Sequence, residues 1–254
     1  DLWQKYCSFL DKDFSQQLEW NELATNEYIK EWKKTKTAQI LDCRHINTIK
    51  DIPMTDYSDY PVMYEFGSKM DELEKQMPRK KGENYCDYYD TLSSHFTHML
   101  DGWLADRYSF CVKTSGTTGD SKWIIHGETF WNNMVRSIMA AVIISCSDER
   151  GKTSFQKGDF QLGIGAPAPY IGGYVSKLFG IEGVRMLPPT AVVDEEPDFM
   201  KKVELALKYA RKVPSIGMIA GSGAMLKLIS LYFTNKAVLY QNAFEMTRPG
   251  FKKM

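Results

Sequence analysis

The spacing of apolar residues changes character near residue 108. Before it, helical spacing appears at Trp3, Cys7 and Leu10, then again from Leu18 through Leu23 and Tyr28 to Trp32. A connection follows that contains Asp51-Ile52-Pro53 and Asp59-Tyr60-Pro61, because each proline pushes its predecessor out of helical geometry. Residues 78–84 form a charged, glycine-containing loop, and Leu92, Phe96, Leu100 and Leu104 repeat every four residues, which predicts an amphipathic helix. After residue 108, short β-branched and aromatic runs alternate with longer helical patterns. Strands are predicted over 108–113, 122–126, 160–164, 183–187 and 215–220. Phe130, Met134, Ile138 and Val142 mark one face of a long helix flanked by Trp131 and Val135. Phe199, Val203, Ala206 and Ala210 mark another, with Pro197 near its start. Such alternation predicts an α/β fold with mixed sheets and packed helices. The expected division is a mostly helical segment over 1–107 and an α/β core over 108–254.

Between the first two predicted strands lies the run Thr114-Ser115-Gly116-Thr117-Thr118-Gly119-Asp120-Ser121-Lys122. Gly116 and Gly119 permit positive φ and leave no Cβ in the way of a ligand. Successive backbone amides in such a turn converge into an anion-binding concavity. Ser115, Thr117 and Thr118 add hydroxyl donors, and Lys122 adds a cation at the exit. A nucleotide polyphosphate needs this combination, and each hydrogen bond to a charged group is worth about 1.5–3 kcal/mol. The run is not a Walker A loop, which requires GxxxxGK[ST] opening a helix. The bland alternative is an ordinary Gly/Ser/Thr hairpin turn, since these residues dominate turns.

Composition narrows the remaining classes. Lys+Arg and Asp+Glu both total 32, so the chain has no net charge and no global field to recruit nucleic acid. An anion must therefore be held by local geometry. With 43% hydrophobic and 25% charged residues the composition is that of a soluble globular protein. Five cysteines, widely spaced and without a CxxC pair, disfavour a zinc site or a disulfide framework and point to a reducing compartment. No stretch approaches the roughly 20 apolar residues of a membrane span. The best candidate, 216–233, is interrupted by Gly217, Gly221, Gly223 and Lys227. The opening residues lack a basic-then-apolar signal pattern, and a cytoplasmic location is expected.

The run TSGTTGDSK resembles the phosphate-binding signature of the adenylate-forming enzymes: acyl-CoA synthetases, luciferases and their relatives. Its surroundings resemble most the phenylacetate–CoA ligases and plant hormone–amino acid amido synthetases. Upstream, residues 52–60 (IPMTDYSDY) are similar to an approach segment of the amido-synthetase branch. Downstream, Gly165-Ala166-Pro167-Ala168-Pro169-Tyr170-Ile171-Gly172-Gly173 sits where that group has an aromatic–glycine loop beside the acyl pocket. The resemblance covers residues 52–229 and implies the N-terminal portion of the large domain of such an enzyme. It further implies a two-step reaction: a carboxylate attacks the α-phosphate of Mg-ATP, pyrophosphate leaves, and a thiol such as CoA, or an amine, takes the acyl group. Thr114, Ser115, Gly116, Thr117, Thr118 and Gly119 would wrap the β- and γ-phosphates, with Lys122 neutralising the leaving pyrophosphate. Tyr170, Ile171, Gly172 and Gly173, with Gly221, would line the acyl pocket. The implied partners are a small carboxylic acid and ATP with Mg²⁺, not nucleic acid or membrane.

Beyond residue 229 the family would continue with a further strand, an aromatic–Gly–x–Thr–Glu segment, a ribose-binding aspartate and a small domain bearing a lysine. None is recognisable; Asp194 and Asp198 lie too early, and Phe251-Lys252-Lys253 does not match. The expectation is a chain that lacks the second half of the enzyme and the C-terminal small domain, and does not complete the reaction by itself. Two alternatives stay open: a non-catalytic nucleotide- or acyl-binding protein, and an interaction domain whose GTTG turn is structural only. His95 and His98 are spaced to share a helix face, but a third ligand is lacking and a surface pair is expected. His126 is expected to make a structural hydrogen bond at a strand end, Cys111 to be a buried inert thiol, and Arg79-Lys80-Lys81 to face solvent.

Overall fold

A computed structural model of the chain describes residues 1–116, 120–181, 183–221 and 223–234. They gather into two compact units, one made of Asp1–Lys80 with Cys86–Ser145, the other of Lys81–Tyr85 with Cys146–Met254. The expected division at residue 107 is therefore displaced. The antiparallel strands on either side of the 114–122 loop, and the helix after them, belong with the helical N-terminal segment.

In the first unit, α1 (Leu2–Tyr6) and a short 3₁₀ turn precede α2 (Phe14–Trp32). Helix α2 starts in a capping box. Asp13 accepts from the Gln16 amide at 2.9 Å, and the Gln16 side chain accepts from the Asp13 amide at 3.3 Å. The short α3 (Lys36–Ile40) is capped by Thr35. Pro61, which the sequence marks as part of a connection, is also the first residue of α4 (Pro61–Gln76), where its missing N–H costs nothing. The proline does break Tyr60, at φ −118° and ψ 73°, but it opens a long helix immediately afterwards. Helix α4 buries Val62, Phe66, Gly67 and Met70, one stripe at helical spacing.

The helix predicted from Leu92, Phe96, Leu100 and Leu104 is a different object. Helix α5 (Tyr85–Ser94) begins earlier and stops at Ser94, and a 3₁₀ turn occupies Thr97–Leu100. The Ser93 and Ser94 hydroxyls donate to the carbonyls of Asp90 and Thr91, and the next amides bond three residues back instead of four. Competition of this kind tightens and ends a helix despite an apolar repeat.

Strands β1 (Tyr108–Lys113) and β2 (Trp123–Gly127) pair antiparallel, from Lys113 opposite Trp123 to Tyr108 opposite Gly127. Helix α6 (Glu128–Ser145) follows, and α1 lies along it, with the Cys7 thiol against the Ala140 carbonyl. Trp123, Phe66, Met70, Leu92, Met139 and Ile143 are all almost fully buried.

The second unit carries a small hairpin, β3 (Ser147–Glu149) and β4 (Lys152–Thr153), and then a parallel sheet. Its elements are β5 (Phe160–Ile164), α7 (Ile171–Ile181), β6 (Arg185–Leu187), α8 (Thr190–Val193), α9 (Phe199–Ala210), β7 (Met218–Gly221) and α10 (Gly223–Thr234). The strand order is β6-β5-β7, so the chain leaves β5 to one side and returns to pair on the other. Leu162 and Leu187, partners in the register, pack against Val203, Ala206, Leu207 and Ala210 of α9. Strands β6 and β7 start later than the sequence suggests; Gly183 stands at φ +69° in a turn. Helix α7 is masked in the sequence by its glycines. It is held by Tyr174 and Leu178, both essentially fully buried. Gly173 lets it approach the preceding loop: a Cβ there would stand 2.0 Å from the Ala168 nitrogen. Among the described residues, no helix is long and apolar enough to cross a membrane.

Candidate functional site: a hairpin loop and a groove at a sheet end

The 114–122 run forms the tip of the β1–β2 hairpin. Thr114 and Lys122 close its base: the Thr114 amide donates to the Lys122 carbonyl at 2.9 Å, and the Lys122 amide donates to Thr114 Oγ1 at 2.9 Å. Gly116 adopts φ +69°, the left-handed conformation its missing Cβ permits. The amides of Ser115, Gly116, Asp120 and Ser121 find no acceptor among the described residues. Thr117, Thr118 and Gly119 lie outside those residues.

The base of the loop is anchored in α4. The Lys113 ammonium sits 2.6 Å from Asp71 Oδ1 and 3.8 Å from Glu74. Trp123 Nε1 donates to the same Asp71 oxygen at 2.9 Å, and the Tyr89 hydroxyl donates to Glu74 at 2.5 Å. The last residue of β1 and the first of β2 therefore share one carboxylate. Lys122 itself is exposed, its ammonium 5.2 Å from the centre of the Tyr57 ring. The Tyr57 hydroxyl lies 3.0 Å from the Trp123 carbonyl, and Asp56 is held below the usual carboxylate range, first by hydrogen bonds from Ser58 and further by the Lys122 charge. The fold thus brings the 52–60 segment against the exit of the loop, some sixty residues further along the chain.

His126 is occupied by packing. Its ring stacks on Phe130 at 3.9 Å between centroids, beside Phe110, and burial pushes its pKa down to about 4. It is a neutral, half-buried ring at physiological pH. Cys111 is buried and its thiol is pushed up to about 12 by desolvation, so it is no nucleophile. His95 lies in the break just after α5 and His98 inside the 3₁₀ turn that follows, so the two do not share one α-helical face. No His/Cys/Asp/Glu cluster able to hold a metal occurs among the described residues.

The second unit contains a groove of about 720 Å³ at the carboxyl end of its sheet. The loop after β5, the first turn of α7, and the ends of β6 and β7 line it. This is where open α/β sheets place ligands: outside the strand ends where chain direction reverses. Gly172, Gly173 and Gly221, expected in an acyl pocket, are on its wall. Tyr170 and Ile171 are not; they are 36% and 42% exposed at the start of α7. The described part of the 114–122 loop lines neither this groove nor a smaller cavity of about 440 Å³ beside Thr97, Asp101 and Arg107 in the first unit.

The sequence reading missed the groove's polar residues, Gln161, Asp194 and Lys202. Gln161 is only 3% exposed, and its side-chain oxygen has no hydrogen-bond partner among the described residues. The available signal was a polar residue inside the run Phe-Gln-Leu-Gly-Ile. A central parallel strand is covered on both faces, so polar-out alternation cannot explain it. Comparison with family models, with curated proteins and with solved structures finds no match to this chain.

Proposed function

We propose that this chain provides the nucleotide- and acyl-binding part of a cytoplasmic enzyme that activates a carboxylic acid with Mg-ATP as an acyl-adenylate, for transfer to a thiol or an amine. The observation that carries this reading is the 114–122 loop. It is a hairpin tip pinned at its base, with a left-handed glycine, amides that find no acceptor among the described residues, and a lysine at its exit. Open amides plus one cation are what a triphosphate needs when the protein supplies no net positive field.

The chain's own residues would work by positioning and charge stabilisation. The Asp71 carboxylate fixes both strands beneath the loop, so the amides are organised before the nucleotide arrives. Lys122, resting over Tyr57, is exposed and able to swing toward a leaving pyrophosphate. The groove at the end of the parallel sheet supports the second half of the reading, a place for the acid.

Titration calorimetry of Mg-ATP with this chain, and carboxylate-dependent pyrophosphate exchange with the complete enzyme of which it would be part, test the proposal. Binding and exchange are expected, with Lys122→Ala weakening ATP about tenfold more than AMP. Absence of both across a panel of acids, or equal loss for ATP and AMP, would refute it. Binding without exchange would instead identify a nucleotide-binding protein without ligase activity.

A further inference from the structure

The groove of the second unit has an apolar body and two polar groups that no described residue partners. Its walls include Val175, Met186, Pro188, Val193 and Ala220. Lys202, near the start of α9, also lines it and is only 8% exposed, yet its ammonium has no ion-pair partner among the described residues. The ammonium is not one of the buried polar atoms of this unit: it meets the solvent of the groove, where a ligand carboxylate can reach it. Gln161 adds a buried amide whose oxygen has no hydrogen-bond partner among the described residues. Gly163, two residues along β5, leaves open the space next to that amide; a Cβ there would stand 3.4 Å from Gln161 Nε2. Asp194 lines the same groove and disfavours a second negative charge on the occupant.

From this arrangement we infer that the groove selects a monocarboxylic acid with an apolar body and a hydroxyl or N–H substituent, its carboxylate drawn to Lys202 and its donor to the Gln161 oxygen. This rests on the proposed function only for what happens to the acid afterwards. The volume of about 720 Å³ suits a ring or chain of that kind. Both polar groups are answered when such a ligand enters: the ammonium gains a counter-ion, and the amide oxygen gains a donor.

The test uses the full chain without nucleotide and three probes: 3-(4-hydroxyphenyl)propanoate, 3-phenylpropanoate and the neutral 3-phenylpropanamide. Dissociation constants come from ligand-observed NMR titration. The parent protein should bind the hydroxylated acid most tightly, the plain acid next, and the amide about tenfold or more weaker than the plain acid. Lys202→Met should erase the acid-over-amide preference, and Lys202→Arg should retain it. Gln161→Leu should erase the preference for the hydroxyl while leaving the carboxylate preference. Gly163→Ala, whose methyl would press on Met186, the Ala220 carbonyl and the Gln161 amide, should narrow the groove and weaken all three probes. Circular dichroism melts of each variant show that it is folded. The inference is overturned if the parent binds none of the probes, if it binds acid and amide equally, or if Lys202→Met still discriminates between them. Acid binding that depends on Lys202, together with no ATP binding, would sustain this inference and sink the adenylation reading; the opposite pair of results would do the reverse.

Discussion

Removing the Asp71 carboxylate should loosen the 114–122 loop from below. Trp123 is 1% exposed, and its indole N–H has that carboxylate as its acceptor at 2.9 Å. Asp71→Ala leaves a buried donor unsatisfied, at about 1–3 kcal/mol. The lost Lys113 ion pair adds little, about 0–1 kcal/mol, because the Asp71 side chain is 42% exposed and Lys113 keeps Glu74 within 3.8 Å. The expected total is about 2 kcal/mol. Asp71→Asn retains an acceptor for the indole and should cost less than half as much. Urea denaturation followed by circular dichroism measures the difference. Amide hydrogen exchange at Thr114 and Lys122, whose mutual bonds close the loop, should accelerate in the alanine variant. A loss below about 0.5 kcal/mol for Asp71→Ala, or equal losses for the alanine and asparagine variants, would refute the claim that this shared carboxylate holds the hairpin by its hydrogen bond to the buried indole.

Three other outcomes follow from the same geometry. Gly173→Ala should destabilise the second unit by about 3 kcal/mol or more, since the new methyl meets backbone atoms of Pro167 and Ala168 that have nowhere to go, whereas Gly180→Ala in the same helix meets nothing and should be neutral or stabilise by up to about 1 kcal/mol; thermal melts of the two variants decide it. His126 titrates at about 4 in the folded protein against an ordinary value of 6.5 for a solvated histidine, so its neutral ring supports stability fully above pH 6.5, and that support fades as the pH falls toward 4. The shift corresponds to about 3 kcal/mol undiscounted, and partial exposure of the ring brings the expected loss to about 1–2 kcal/mol; subtracting the pH–stability curve of His126→Phe from that of the parent isolates it. Tyr57→Ala should weaken ATP binding about threefold to tenfold while leaving acid binding in the groove unchanged, because it removes the ring under Lys122 and the bond to the Trp123 carbonyl; calorimetry with each ligand reads the two effects separately.

Local chemistry made much of this protein legible. The strand at 108–113 and the helices around 130–142 and 199–210 could be read directly, although of the face marked by Phe130, Met134, Ile138 and Val142 only Val142 is buried and Phe130 is 43% exposed. The nine-residue run between two strands was readable as a loop with special backbone needs, and Gly116 does adopt positive φ. What the sequence left out depended on contacts between distant residues. Pro61 signals a break and a helix start in the same letter, and only the burial of Phe66 and Met70 turns the break into α4. The leucine repeat from 92 to 104 loses to serine hydroxyls that take its carbonyls. Lys122 meets Tyr57, and Lys113 and Trp123 meet Asp71, because the chain folds back on itself. The groove shows the division most clearly. Its glycines were placed in an acyl pocket by the family resemblance, but Gln161 and Lys202 became site residues only once the sheet and α9 enclosed them without partners among the described residues. Burial of a polar group is a property of its surroundings, and no spacing along a chain records which neighbours will be missing.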